Sequence, residues 1–464
     1  MARWVSIFGL RVLLTTHAFL PASVAGVEVY TARLGRALQD LGHEVLVLTA
    51  VHDLGAAPHS LRRRRVGTLD VVEVVNTHLE GTLEATYRLP AIDRAIAGVV
   101  EEFRPDSVHA QHLLNLSTGL LDAARAAGAP VALTLHDYWL SCPRDGLRMR
   151  ADGVRCDVVD HGICVACLAD SPYLVPPAQR QATRAMQAAG VGRVLHGARR
   201  RAPALTTRLL RLLRRASPAR PGDLRRALDD RAAHLRGRLT DVALFLAPTA
   251  FARDRAVEWG VPADKVRVLP LGAVDHASRP RRGGTRRRLG YVGTMAPHKG
   301  VHVLLEAAAG LPDQEWTLDL FGNADLDPDY GTRLRALARG NPRIRLRGPI
   351  PPDEQDQMWD SLDLLVVPSL WWENSPLTVL ESLAAGVPVV ASRTGGVPEV
   401  IPEGAGLLLP AGDVGALRNA LQGVLDGALL AGPLDALPVK TAAEGARELA
   451  AVYAQLRSEG HATA

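Results

Sequence analysis

Lysine is nearly missing from this chain: of 54 basic residues only Lys265, Lys299 and Lys440 are lysines, and the rest are arginines. Such a bias is what genome composition imposes and says little about chemistry. Also missing is any run of 18 uninterrupted apolar residues, because Arg, His, Pro or Gly breaks each candidate; a membrane-spanning helix is not expected. There is no internal repeat of solenoid period. Disordered and collagen-like classes are excluded by composition, since 47% of the residues are hydrophobic and 22% charged. At 464 residues the chain exceeds one compact domain; about 150 residues per domain gives roughly three, or two large α/β units.

Charge is unevenly placed. The formal net charge is +5, yet residues 180–240 hold 16 arginines against Asp223, Asp229 and Asp230, a local excess of 13 that leaves the remainder at −8. A uniformly basic nucleic-acid binder does not have this distribution, and nucleic acid is not an expected partner. It fits an acidic-to-neutral enzyme with one basic surface insert. Residues 1–25 mimic a secretory leader, with Arg3, an apolar stretch, and Ser23 and Ala25 at cleavage-like spacing. Arg11 and His17 interrupt the apolar stretch, and residues 11–16 supply a strand that the next element needs. An intact amino terminus is expected.

The first half reads strand, loop, helix, strand. Residues 11–16 are apolar, Val29, Leu34, Ala37, Leu38 and Leu41 recur at helical spacing, Gly42 stops the helix, and a strand follows at 44–49. Strands at 71–75, 107–110 and 131–135 alternate with helical stretches at 91–103 and 116–128, the pattern of a parallel sheet. A linker at 277–288, rich in Arg, Gly and Pro, precedes a second alternation. Its strands lie at 289–293, 317–322, 343–348, 364–368 and 387–392, with helices at 301–309, 331–339, 353–361 and 377–385 between them. The expected fold is α/β: two Rossmann-like, doubly wound domains (1–276 and 289–440) facing a central cleft at the carboxyl ends of their strands. Residues 441–464 form a last helix whose stripe of Ala446, Leu449, Ala450 and Tyr453 packs back across the domains.

The cleft residues follow from that placement. Glu373 and Glu381 flank a helix start at which Ser375 is the expected N-cap and Pro376 the first helical residue. Eight helical residues span about 12 Å, too far for a glycosidase-like acid and nucleophile. The pair reads as two hydroxyl clamps on one extended ligand. Gly395-Gly396 follows a strand, where bare backbone N–H groups can meet ligand atoms. Gly293-Thr294-Met-Ala-Pro-His298-Lys299-Gly300 is a strand-to-helix turn that sets a cation, Lys299, beside a helix N-terminus, suited to a diphosphate leaving group. Gly26 opens the first helix, either as a simple turn or to let backbone approach a ligand. His136 sits at the carboxyl end of a strand.

These residues, with Pro368-Ser369 before Glu373 and Ala385-Gly386-Val-Pro-Val-Val and Thr394-Gly395-Gly396-Val397-Pro398-Glu399 after it, resemble the retaining nucleotide-sugar glycosyltransferases of family 4, which have the GT-B fold. The resemblance covers nearly the whole chain and is strongest over 242–412. It implies that Glu373 contacts the donor sugar and Glu381 the nucleotide ribose, and that His136 contacts the sugar. It further implies donor binding by Gly26, Gly293, Thr294, Lys299, Asn374, Ser375, Pro376, Leu377, Gly395 and Gly396. His136, Glu373 and Lys299 are the expected catalytic group, acting without a catalytic metal by front-side attack. Family members usually carry Arg where this chain has Thr294, and a glycine where it has Ala25. The implied partners are a nucleoside-diphosphate sugar and a glycan, polysaccharide-precursor or lipid-linked acceptor.

Cys142, Cys156, Cys164 and Cys167 are the whole cysteine complement and fall within 26 residues, in a loop spanning 142–167. A structural zinc and free or redox-active thiols are both open readings, with His161 a spare ligand. The basic insert, 176–239, is either a solvated helical segment or a dock for an anionic membrane surface or a lipid-diphosphate acceptor; a cytoplasmic enzyme is expected, peripheral at the inner face of the cytoplasmic membrane on the docking reading. Two other classes stay open: a GT-B nucleotide-sugar epimerase, and a non-catalytic zinc-stabilised binding module.

Overall fold

The computed structural model describes residues 9–78, 80–168, 171, 173–174, 181, 221–280, 284, 286–351, 354–433 and 435–462. The first domain runs β1 (Arg11–Thr16), α1 (Gly26–Asp40), β2 (Glu44–Val51), β3 (Leu61–Val66), β4 (Leu69–Val75), α2 (Pro90–Phe103), β5 (Ser107–Ala110), α3 (Gly119–Ala126), β6 (Val131–Thr134), α4 (His161–Cys167), α5 (Pro221–Gly237), β7 (Leu244–Ala247), α6 (Ala250–Trp259) and β8 (Val266–Val268). The second runs β9 (Arg288–Val292), α7 (Val301–Ala308), β10 (Thr317–Phe321), α8 (Pro328–Ala338), β11 (Ile344–Gly348), α9 (Gln355–Asp360), β12 (Leu364–Val367), α10 (Leu377–Ala384), β13 (Val389–Ser392), α11 (Val397–Val400), β14 (Gly406–Leu409) and α12 (Val414–Leu425). Helix α13 (Ala442–Ala462) follows.

The sheets are ordered β3-β4-β2-β1-β5-β6-β7-β8 and β11-β10-β9-β12-β13-β14. All neighbours are parallel except β3 on β4. The central strands are apolar on both faces because helices cover both; β5, β6, β7, β12 and β13 are buried throughout. In each sheet the strand order reverses once, between β1 and β5 and between β9 and β12. At such a switch point the flanking loops part and leave a crevice beyond the carboxyl ends of the strands.

Local chemistry sets the element ends. Pro90 and Pro328 occupy first-turn positions, Asp327 and Asp413 cap α8 and α12 by accepting from Tyr330 and Ala416 N–H, and Thr249 caps α6. Ser375 does not act as a cap: α10 begins at Leu377 with Pro376 in the cap position and no side-chain cap hydrogen bond. The first sheet also holds β3, β7 and β8, beyond the strands expected. Of the insert at 176–239, residues 176–180 and 182–220 lie outside the described residues, and α5 is the described helix that follows.

Helix α13 packs chiefly on the first domain, where the sequence suggests packing across both. Ala446, Leu449, Ala450 and Tyr453 join Tyr30, Leu34 and Leu38 of α1 in one buried cluster, and the Tyr453 hydroxyl pairs with His109 Nδ1 at 2.6 Å. The domains therefore share two chain crossings, one leading to β9 and one returning to α13. The crossings lie side by side: Ala273 N–H donates to the Lys440 carbonyl (3.1 Å) and Ala442 N–H to the Val274 carbonyl (2.7 Å). Among the described residues no helix is long and apolar enough to cross a membrane.

Candidate active site

The loop after β9 carries Lys299 to the N-terminus of α7, and the loop after β12 carries Glu373 towards it. Lys299 Nζ donates to Glu373 Oε1 at 2.7 Å, and Ser369 Oγ donates to the same oxygen at 2.7 Å. The ammonium also lies 4.7 Å from the Trp371 ring centroid. Burial pushes the Glu373 carboxyl up, but the Lys299 charge and the hydrogen bonds of Lys299 and Ser369 outweigh it, so the carboxylate sits below its ordinary range. His298 beside it is held down to about 3, first by burial and then by Lys299, and is uncharged at neutral pH. Gly300 is required where the two loops cross: at φ 68° its missing Cβ would lie 2.0 Å from the Pro368 carbonyl.

The Gly395-Gly396 turn packs closely on the main chain of the Glu373 loop. Gly396 N–H donates to the Glu373 carbonyl at 2.6 Å. A Cβ at Gly395 (φ 59°) would lie 2.0 Å from that carbonyl oxygen, and one at Gly396 would lie 2.2 Å from the Asn374 carbonyl. The glycines let main chain pack on main chain and so fix Glu373; the Gly396 donor is already committed. Gly293 (φ 148°) and Thr294 form the turn itself, the Thr294 carbonyl accepting from the Tyr291 hydroxyl at 2.7 Å.

Two of the expected donor ligands, Asn374 and Leu377, also touch the other domain. Asn374 Nδ2 donates to the Leu135 carbonyl at 3.0 Å, and Thr249 Oγ1 donates to the Asn374 carbonyl at 3.1 Å. Leu377 packs against the α1 cluster, beside Gly26. Ser375 and Pro376 form the bend before α10. Glu381, on α10, faces α1 of the other domain, where Arg33 Nη1 donates to its Oε1 at 2.5 Å. Burial raises the Glu381 carboxyl above its ordinary value, and Arg33 opposes that shift. Sequence reasoning missed Arg33 because its target is 348 residues away. It missed Glu399 too, which accepts from Ala250 and Phe251 N–H at 2.7 and 2.8 Å and so closes the first turn of α6 from the opposite domain.

Across the cleft, the first domain presents imidazoles and carboxylates. His136 Nε2 donates to Gln111 Oε1 at 2.7 Å, and the ring stands edge-on to Tyr30 at 5.3 Å. His112 Nδ1 accepts from Leu114 N–H at 2.9 Å, which puts its proton on Nε2 for donation to Asp137 at 2.9 Å. His17, after β1, is 4.7 Å from the His112 ring and 3.5 Å from Glu28. Burial holds His17 and His136 down to about 3, so both are neutral. Thr16 Oγ1, His17 Nδ1, Glu28 Oε2 and Gln111 Nε2 are buried without a hydrogen-bond partner, which leaves unspent polar capacity at this switch point. The readable signal was the run His109-Ala-Gln111-His112, polar side chains where an apolar strand ends.

The cysteine loop lies behind the site. Cys142 packs with Tyr138 and Trp372, and Arg148, Arg155 and Arg255 lie 5.2, 5.3 and 5.7 Å from Trp372 ring centroids. All four thiols are free. Burial pushes Cys142 up to about 11, and burial with the other three cysteines pushes Cys164 up to about 12. The thiols are electrostatic neighbours, but among the described residues no three His, Cys, Asp or Glu side chains are grouped to hold a metal ion.

Two doubly wound domains whose switch points open on one cleft define a GT-B protein. The solved structure of Anabaena HepE with UDP and glucose has this fold: it is 15% identical, the alignment covers 98% of this chain and 99% of that one, and the TM-score is 0.55. A family model described as Glycosyltransferase Family 4 matches residues 24–166, and one described as Glycosyl transferases group 1 matches residues 286–427, together more than half of the chain. The chain belongs to glycosyltransferase family 4. It is 32% identical over 219 residues to an exopolysaccharide phosphotransferase of Streptomyces coelicolor, covering 44% of this chain and 22% of that protein. It is also 32% identical over 204 residues to a D-inositol 3-phosphate glycosyltransferase of Acidothermus cellulolyticus, covering 39% and 45%. The matches thus span less than half the length of these relatives.

Proposed function

We propose that this chain transfers a sugar from a nucleoside-diphosphate donor to a hydroxyl acceptor, with retention of configuration and without a catalytic metal. The observation that carries the reading is the Lys299–Glu373 pair, set at the N-terminus of α7 on one switch point, with neutral His136 after β6 of the other domain. The charge that develops on a departing diphosphate is compensated by Lys299 and the positive end of the helix. Glu381 takes ribose hydroxyls. Glu373, held by Lys299 and Ser369, takes a sugar hydroxyl when Lys299 turns to the diphosphate. Neutral His136 positions the sugar by hydrogen bonding, and the acceptor attacks from the face that the diphosphate leaves.

The acceptor on this reading is a glycan, a polysaccharide precursor or a lipid-linked glycan, in keeping with the exopolysaccharide in the Streptomyces relative's name. The unpartnered atoms around His17 and Gln111 suit a polyhydroxylated group. A melting panel with UDP, GDP, ADP and TDP tests the donor, since a ligand bound only by the native state raises the melting temperature. One selective nucleotide supports the reading, and a panel with no shift sinks it. Transfer in the presence of chelator, with the product's anomeric configuration read by NMR, tests the metal-free and retaining parts. A structural zinc on the four cysteines is a separate proposal, which needs the loop to draw them together. Stoichiometric zinc in protein purified without chelator supports it, and its absence ends it.

A further inference from the structure

Arg33 lies in the middle of α1, with its side chain only 7% exposed. Its guanidinium serves four acceptors. Two lie at the chain crossing beside its own domain: the Ala273 carbonyl, 2.6 Å from Nη1, and the Asp275 carboxylate, 3.3 Å from Nε. Two lie across the cleft: Glu381 Oε1, 2.5 Å from Nη1, and Gln355 Oε1, 3.1 Å from Nη2. The first pair fixes where the fork points, and the second pair exists only while the domains are together. Arg33 is suited to this because its donors form a rigid plane; a lysine offers one point charge on a flexible stem.

Glu381 has the complementary problem. Its side chain is 12% exposed, and Arg33 is its ion-pair partner. A buried carboxylate without a cation is costly and readily takes a proton. With Oε1 held by Arg33, the second oxygen of an ionised carboxylate is presented in a fixed direction. Separation of the domains would remove both the charge partner and the orientation.

We propose that Arg33 is a positioning residue that arms Glu381 for the nucleotide only when the two domains close, so that nucleotide recognition and domain closure are one coupled event. The proposal rests on the reading of Glu381 as the ribose ligand. Arg33 touches no reacting atom; it acts through Glu381. Donor affinity then depends on a residue of the first domain, and an enzyme held open binds nucleotide poorly.

The test uses the full chain with R33Q, R33K, E381Q and the R33Q/E381Q double variant, each checked for native circular dichroism. Calorimetric titration uses the nucleoside diphosphate that the melting panel selects, and small-angle scattering is recorded with and without it. R33Q is expected to weaken nucleotide binding by ~10-fold to ~100-fold, within the usual range of coupling between sites. R33K should recover little of that loss, and the donor KM should rise while the acceptor KM does not. In the E381Q background the same R33Q change should cost less than ~2-fold, because the two residues act as one unit. Nucleotide should compact the wild type and leave R33Q extended. Additive losses, or wild-type affinity in R33Q, overturn the proposal. Unchanged affinity in E381Q removes the ribose reading of Glu381 instead, and scattering then decides the rest: equal compaction of wild type and R33Q overturns the coupling to closure.

Discussion

At the ends of β9 and β12 the cleft is built from an ion pair, Lys299 with Glu373; at the ends of β1, β5 and β6 it is built from His17, His112 and His136, hydrogen-bonded to Asp137 and Gln111 or set against Glu28. Both regions occupy the same kind of crevice in the same kind of sheet. They differ in where formal charge is placed. Burial has been opposed by a cation on the second domain, and on the first it has been allowed to strip His17 and His136 of theirs. On the proposed function the difference has a reason: a diphosphate needs charge compensation, and a hydroxyl needs hydrogen bonds without charge.

The comparison breaks most sharply at Lys299. Lys299→Met keeps the bulk but leaves Glu373 buried without its cation, which costs about 3–5 kcal/mol by the general cost of halving a buried pair. Urea unfolding reads that loss, and transfer assays should fall more than ~100-fold with the charge stabilisation removed. A variant with wild-type stability and activity would show that the pair is ornamental. The first domain is probed by pH. His17, His109 and His136 bind protons near 6.5 when unfolded but only near 3 in the fold. Their contribution is complete above about 6.5 and is lost as pH falls towards 3, with a limiting slope of about 1.4 kcal/mol per pH unit for each. The raised carboxyls of Glu28 and Glu381 act with the opposite sign. The urea midpoint should therefore decline from pH 6.5 to 5, and His109→Asn should flatten that slope; a flat wild-type profile would contradict the uncharged imidazoles.

Smaller effects sharpen the boundary between the domains. Glu399→Gln should cost about 1 kcal/mol, because an amide caps the first turn of α6 less well than a carboxylate. Ser375→Ala should change stability by less than about 0.5 kcal/mol, since the hydroxyl caps nothing. A loss near 1 kcal/mol, the usual value for an N-cap, would restore the reading that its position in the sequence invites.

The alternation of apolar runs and amphipathic stretches made both sheets legible, together with the last helix; that this helix seats on α1 was not. Strand β3 escaped because Leu61-Arg-Arg-Arg-Arg-Val66 has no apolar alternation; it is an edge strand whose arginines find Asp53, Asp70, Glu73 and Glu102. Lys299 and Glu373 were readable from their place beside strand ends. The partnership between them was not, because 74 residues separate them. Gly395-Gly396 was found for its freedom, but its close approach to Glu373 main chain was not readable. Asn374, Arg33 and Glu399 act between domains, and a periodic reading of one chain carries no signal for that.

The paired crossings at Ala273–Val274 and Lys440–Ala442 have a mechanical meaning. One crossing alone is a tether, about which a domain can swing and twist. Two strands hydrogen-bonded together behave like a door hung on two pins, which leaves rotation about a single line as the soft motion. If the domains close as proposed, the cleft opens and shuts along one path, and each closure returns the loops after β9 and β12 to the same register against those after β1 and β5.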